Sequence, residues 1–236
     1  MKKILIALLS VTILTSCGEE KSTNSVEITG NIKGLKKGKL YIQKVQDSTL
    51  VILDSIILNG SSNFVSNIKL DSPEMLYLYV DRGVSNSVDN NLLFFAEPGK
   101  MTIDTELELF LAKAKVTGSK NNELYLEYKD IISEFNYEQL ELVKDELMAL
   151  KGKKVISKED NIKKQDVLLR RRYLYAANFA VTHSDYEVSP YIALTDIFDI
   201  NMKYLDTIQK SMSPKVAKSK YGLKLKEYVA DRKKEE

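Results

Sequence analysis

Near Ser119 the hydrophobic period of this chain changes from two to 3.6, and that change restricts the architecture to two unlike halves. Upstream, Val26, Ile28 and Ile32 alternate with Glu27, Thr29 and Asn31, and turn chemistry recurs every eight to twelve residues. Gly34-Leu35-Lys36-Lys37-Gly38 forms one turn and Asn59-Gly60 is a hairpin signal, because both residue types tolerate positive φ. Glu97-Pro98-Gly99-Lys100 forms another. Met75–Val80 and Asn91–Ala96 are denser in apolar residues, as strands covered on both faces require. Seven or eight strands in so short a span imply an antiparallel β-sandwich or a partly open barrel over residues 26–118.

Downstream, Leu124, Tyr128, Ile131, Ile132, Phe135, Val143, Leu147 and Leu150 mark a helix or bent pair that reaches Lys151-Gly152. Ser157 with Asp160 gives the next helix an N-cap and an acidic first turn, and that helix runs to about His183. Ser189-Pro190 places a capping side chain before a proline and predicts a short helix over Tyr191–Phe198. Short helices follow over Met202–Lys210 and Lys220–Lys234. Residues 119–236 are therefore a small helical bundle, and the fold class is α+β in two parts.

The N-terminus carries a different kind of signal. Met1-Lys2-Lys3 is a positive n-region, and the apolar run Ile4–Ile13 is too short to cross a ~30 Å hydrocarbon core as a helix. It has the length of a signal-peptide h-region. Leu14-Thr15-Ser16-Cys17 resembles a lipobox, in which small side chains admit the peptidase and the thiol accepts a diacylglycerol. The expectation is a signal peptide over 1–16, cleavage between Ser16 and Cys17, and a lipidated tether over 17–25. Each buried CH₂ of an acyl chain contributes about 0.8 kcal/mol, so two or three chains hold a protein on a membrane almost permanently. The site implied is an outer-membrane lipoprotein of the cell envelope, facing the periplasm or the cell surface. Gly18 is not the aspartate of an inner-membrane retention signal, and Glu19-Glu20 is similar to acidic surface-export tags.

Residue counts exclude several chemistries. Cys17 is the one cysteine, so no internal disulfide, Cys-x-x-Cys pair or cysteine-based zinc site is available. His183 is the one histidine, which removes any two-histidine site within the chain. The 35 basic and 33 acidic residues leave a net charge of +2, which Lys2 and Lys3 account for. A balance this close provides no overall basic field for nucleic acid.

Four ordered motifs carry a family resemblance: Ile28-Thr29-Gly30-Asn31-Ile32-Lys33-Gly34, Leu53-Asp54-Ser55 with Asn59-Gly60, Phe94-Phe95-Ala96-Glu97-Pro98-Gly99, and Val116-Thr117-Gly118-Ser119. From Val26 to Lys129 the chain resembles the N-terminal domain of unknown function of Bacteroidetes-type envelope lipoproteins. A looser match continues through Ser189-Pro190-Tyr191 and Ser219-Lys220-Tyr221-Gly222 to near Val229. In many relatives a thioredoxin-like domain follows, and the resemblance implies a link to thiol–disulfide exchange. Here the sequence reaches Glu236 where that domain would begin. Exchange needs an attacking thiolate and a resolving sulfur, and with Cys17 acylated no thiol is left, so that activity is not carried over.

The remaining candidates for chemistry have structural readings. His183 suits a helix C-terminus, where its protonated form gains about 0.3–1 kcal/mol from the dipole. It lacks a Gly-x-Ser-x-Gly or similar nucleophile signature. Arg170-Arg171-Arg172 fan over about 200° of a helix and form a salt-bridged face rather than one anion site. Gly34–Lys39 lacks the spacing that wraps phosphate. Asp185, Asp196 and Asp199 lack the alternating ligands and central glycine of a calcium loop. Tyr77, Tyr79, Phe94 and Phe95 read as core, and Tyr173 and Tyr175 lie on different helix faces. The expectation is a non-catalytic binding or docking module with no cofactor and no metal. It is held to the membrane by lipid on Cys17 and accessory to a separate, thioredoxin-like envelope protein. The alternatives are a glycan- or ligand-binding surface lipoprotein, and a hydrolase with two carboxylates about 5–10 Å apart in a cleft.

Overall fold

The computed structural model describes residues 24–83 and 88–235. The expected signal peptide over 1–16 and the expected lipidation site Cys17 lie outside the described residues. Eight strands come first: β1 (Ser25–Lys33), β2 (Lys37–Gln46), β3 (Thr49–Asn59), β4 (Asn63–Lys69), β5 (Glu74–Asp81), β6 (Asn91–Ala96), β7 (Gly99–Glu106) and β8 (Lys115–Thr117). They form two four-stranded sheets, ordered β4-β1-β7-β8 and β3-β2-β5-β6. Alternation buries Val26, Ile28, Ile32, Met101 and Ile103 of the first sheet against Leu40, Ile42, Leu76, Leu78 and Phe94 of the second. This is a sandwich with no closed barrel.

Of the six strand pairings among the described residues, five are antiparallel. The sixth, β1 with β7, is parallel and sets Val26 opposite Gly99 and Lys33 opposite Glu106. Strands so far apart in sequence meet only after the other sheet has been laid down between them. β5 is the interior strand its composition predicts. β6 is instead an edge strand, and its apolar density has another cause: both its faces are covered. Phe94 points into the sandwich, whereas Phe95, with Met75 opposite, points into a second core built by the helices. Fully burying a phenylalanine contributes about 1.5–3 kcal/mol, so Phe95 is a substantial part of what holds the halves together.

Six helices follow: α1 (Lys120–Leu150), α2 (Lys158–Thr182), α3 (Val188–Thr195), α4 (Met202–Ser211), α5 (Pro214–Ala217) and α6 (Lys220–Glu235). Ser119 caps α1 by accepting from Asn122 N–H, and Ser157 caps α2 by accepting from Asp160 N–H. The start predicted at Ser189-Pro190 is displaced: α3 opens at Val188, after Glu187. Ser189 does not cap it, because its hydroxyl donates to the Ala180 carbonyl of α2 at 2.7 Å. The short α5, with Pro214 in its first turn, has no counterpart in the periodicity.

The 31 residues of α1 rise about 46 Å. Buried apolar positions on it, Leu124, Tyr128 and Ile132, all lie in its first half. Beyond Phe135 it runs beside α2, with Glu138 paired to Arg171, and together they extend as an antiparallel arm.

Candidate functional site

Polar chemistry concentrates where α1 meets the sandwich. The β6–β7 turn brings Glu97 under the first turn of α1. Its Oε1 accepts from Ser119 Oγ at 3.0 Å, Asn121 N–H at 2.5 Å and Asn121 Nδ2 at 2.8 Å. A carboxylate at a helix N-terminus is favoured by the unpaired amides and the dipole. Asn121 then reaches across to α3. Its Nδ2 donates to Glu187 Oε2 at 3.0 Å, and its Oδ1 accepts from Val188 N–H at 2.7 Å. That second bond supplies the α3 cap that Ser189 does not. Glu187 is 1% exposed, and Lys215 approaches it at 3.6 Å.

Next to it, Asn122 Oδ1 accepts from Phe95 N–H at 2.9 Å. An edge strand such as β6 otherwise offers unpaired amides to foreign strands, so this bond blunts it. Gly118, with φ +91°, completes the entry to α1; a Cβ there would stand 2.3 Å from the Lys100 carbonyl oxygen. On the other side of the joint, Glu74 pairs with Lys220, and Met75 N–H donates to Tyr221 Oη at 3.0 Å. Gly222 is required by close approach, since a Cβ would lie 2.0 Å from the Val216 carbonyl oxygen.

Aromatic rings fill the space between these polar anchors. Phe95, Tyr191 and Tyr221 meet edge to face at centroid distances of 5.1 to 5.9 Å, and Tyr125 joins through Tyr191 at 5.9 Å. Burial pushes the Tyr125 phenol up to about 12, with the Asp196 carboxylate adding to the effect. The Tyr128, Tyr191 and Tyr221 phenols are raised further, again by burial first. Tyr128 donates to Asp196 Oδ2 at 2.9 Å.

Glu97 and Glu187 share one amide nitrogen and so approach within about 6 Å, inside the span that glycoside chemistry uses. Neither lines either of the clefts described next, and both are spent on holding Asn121.

Two clefts among the described residues combine charged and apolar side chains. One, of about 420 Å³, lies between the end of β2, the β4–β5 connection and the start of α6; it is lined by Lys44, Lys69, Lys220 and Lys224 with Asp47, Asp71 and Glu74. The other, of about 500 Å³, runs along the arm between α1 and α2. Leu142, Val167 and Leu168 form its floor, and its rims differ in sign: Glu138 and Glu141 on α1, Lys163, Lys164 and Arg171 on α2. Periodicity predicted the helices but not this groove, because apolar spacing marks a face without saying whether anything covers it.

Residues singled out from sequence are dispersed. His183 closes α2, its Nδ1 2.9 Å from the Phe179 carbonyl oxygen and its ring 4.1 Å from the Phe179 ring. Of the three arginines, Arg171 bridges to Glu138 at 3.1 Å and lies over Phe135, Arg170 is exposed and Arg172 is half-buried. Of Gly34–Lys39, the first three residues form the β1–β2 turn, with Gly34 at φ +94°, and Lys37–Lys39 open β2. Asp196 and Asp199 each accept from a tyrosine, Tyr128 and Tyr173, while Asp185 is exposed. Among the described residues no three His, Cys, Asp or Glu side chains are grouped to hold a metal ion. Phe94 and Phe95 are core; Tyr77 and Tyr79 are half-buried, and Tyr79 stacks on Tyr41 at 6.0 Å. Tyr173 and Tyr175 are also both half-buried, Tyr175 stacked on Tyr128. No helix among the described residues is long and apolar enough to cross a membrane.

Two of the four motifs that carried the resemblance reach the joint, Glu97 from one and Gly118 and Ser119 from another, and Lys220-Tyr221-Gly222 joins them from the looser match. No curated protein matches the chain. Residues 26–125, which run from β1 through the first residues of α1 and include Glu97, Asn121 and Asn122, match the family model of a domain of unknown function (DUF4369).

Proposed function

We propose that this chain is a membrane-anchored lipoprotein of the cell envelope acting as a non-catalytic docking module. Its groove between α1 and α2 seats an amphipathic helix of another envelope protein. The observation that carries this reading is the groove itself, with its apolar floor between an acidic and a basic rim. Interfaces are built that way, and opposed rims fix the orientation of a partner. The partner segment has apolar anchors at helical spacing, acidic residues toward Lys164 and its neighbour Lys163, and a basic residue toward Glu141, while Arg171 and Glu138 are paired with each other at 3.1 Å. A separate thioredoxin-like protein is the partner class that the family resemblance suggests. The anchor rests on Leu14-Thr15-Ser16-Cys17.

Two measurements test the two parts. Metabolic labelling with a radioactive fatty acid marks the protein and is lost in Cys17→Ala; an unlabelled wild-type protein removes the anchor. In pull-downs from solubilised membranes, the wild type retains a protein that both Val167→Glu and the rim reversal Lys163→Glu/Lys164→Glu release. Equal retention by all three removes the groove as the seat.

A second reading, ligand binding, is favoured by the cleft beside α6. There Lys44, Lys69 and Lys224 make no ion pair among the described residues. Titration with a small anionic sugar, followed by amide chemical shifts of β2 and α6, would support it; shifts absent at millimolar concentration would remove it.

A further inference from the structure

The most exposed large apolar side chains among the described residues lie together at the apex of the arm, outside the groove. Val155 is 100% exposed and Leu150 is 79% exposed. Gly152, at φ +67°, turns the chain between them. Residues 150–158 carry Lys151, Lys153, Lys154 and Lys158 and no acidic residue. Glu159 and Asp160 follow in the first turn of α2, where a helix N-terminus favours them, and then Lys163 and Lys164. Lys154 is paired with Asp145 at 2.5 Å and Lys163 with Glu159 at 2.8 Å. Lys151, Lys153, Lys158 and Lys164 make no ion pair among the described residues. In a chain with net charge +2, this is a local concentration of free positive charge around bare hydrocarbon.

We propose that this apex seats on a bilayer surface rich in anionic phospholipid headgroups. Each part of the apex suits that surface. Leu150 and Val155 have the size to enter the boundary between headgroups and acyl chains, where an exposed apolar side chain is removed from water. The lysines on either side keep their charged ends at phosphate level while their stems lie along the apolar region. Each gains from the negative surface potential, which decays within a Debye length, so contact is short-range and salt-sensitive. A second apex is the poorer partner, because pairing two copies sets lysine against lysine around the same hydrocarbon. The contact does not depend on acylation of Cys17, and its residues are not those of the groove floor.

The sequence contains no tryptophan, so Val155→Trp places a unique fluorophore at the apex. The test protein is residues 24–236, which contain every member of both hydrophobic cores, Val26 to Val229, and omit the apolar N-terminal run. Vesicles of phosphatidylglycerol mixed with phosphatidylcholine are expected to shift the emission to the blue and to float the protein. Pure phosphatidylcholine vesicles are expected to do neither at the same lipid concentration. Adding Lys151→Gln, Lys153→Gln and Lys158→Gln is expected to weaken binding about a hundredfold, from a factor of about five per lysine, with the thermal midpoint unchanged. Emission that stays at the water-exposed wavelength with anionic vesicles overturns the proposal. So does a blue shift that needs no lipid and grows with protein concentration, which would make the apex a self-association surface. A triple lysine variant that binds as tightly as its parent also overturns it.

Discussion

One helix, α1, carries two regions built on opposite rules. At its root, polar groups are buried and tied to one another: Asn121 alone joins Glu97, Glu187 and Val188. Along its outer half, apolar groups are left in water: Leu140, Leu147 and Leu150 are exposed. A buried amide bonded to two carboxylates fixes one arrangement of the halves, since every alternative strands a charge. An exposed leucine fixes nothing within the molecule and is costly in water until something covers it. The contrast separates what the chain uses to fold from what it offers outward.

The comparison can be broken most directly at Asn121. Replacing it with Ala removes the shared donor of two carboxylates and leaves the buried Glu187 with Lys215 alone at 3.6 Å, so the expected loss is about 3 kcal/mol. Urea denaturation followed by circular dichroism measures it, and a loss under 1 kcal/mol would mean that the joint is not what holds the halves. At Gly118 a methyl group collides with the Lys100 carbonyl at a positive φ. Gly118→Ala is therefore expected to cost about 2–3 kcal/mol, by the same assay.

A smaller effect is expected at Tyr221. Tyr221→Phe deprives the buried Met75 N–H of its acceptor, at about 1–2 kcal/mol.

The root also predicts a pH response. Its phenols titrate higher when folded than when unfolded, so the fold holds protons that the unfolded chain releases above about pH 10. The stability this provides is whole below pH 10 and is lost as pH rises toward and through about 12, the Tyr125 value. Absorbance of phenolate at 295 nm should show these tyrosines ionising together with the loss of structure. Early, reversible ionisation of all thirteen tyrosines would contradict the packing at the joint. On the arm, Leu147→Lys is expected to change stability by no more than about 0.5 kcal/mol. A larger loss there would mean that the arm is packed rather than presented.

Much of this was legible in the sequence. Alternation located the strands because the side-chain period of a sheet is two whatever lies beyond it, and Ser157 was readable as a cap because capping is local. The joint was not, since Glu97, Asn121 and Glu187 are brought together only by tertiary structure. Ser189 misled for a related reason: its hydroxyl had a better acceptor in Ala180, on another helix. The parallel pairing of β1 with β7 left no local trace. Finally, Leu124 and Leu150 fall on one apolar progression, yet the first is 4% exposed and the second is free in water. Periodicity reports a face, and burial depends on what the rest of the chain supplies to cover it.

A rigid beam clamped at one end turns rotation into travel. Because α1 is gripped from Asn121 to Ile132 and continues beyond for about 27 Å, a tilt of some 10° at the end of the clamp sweeps its free end through roughly 5 Å. Small repacking of Phe95, Tyr191 and Tyr221 is thereby magnified into a displacement wider than a side chain, and a load applied at Gly152 returns to the sandwich with the same leverage.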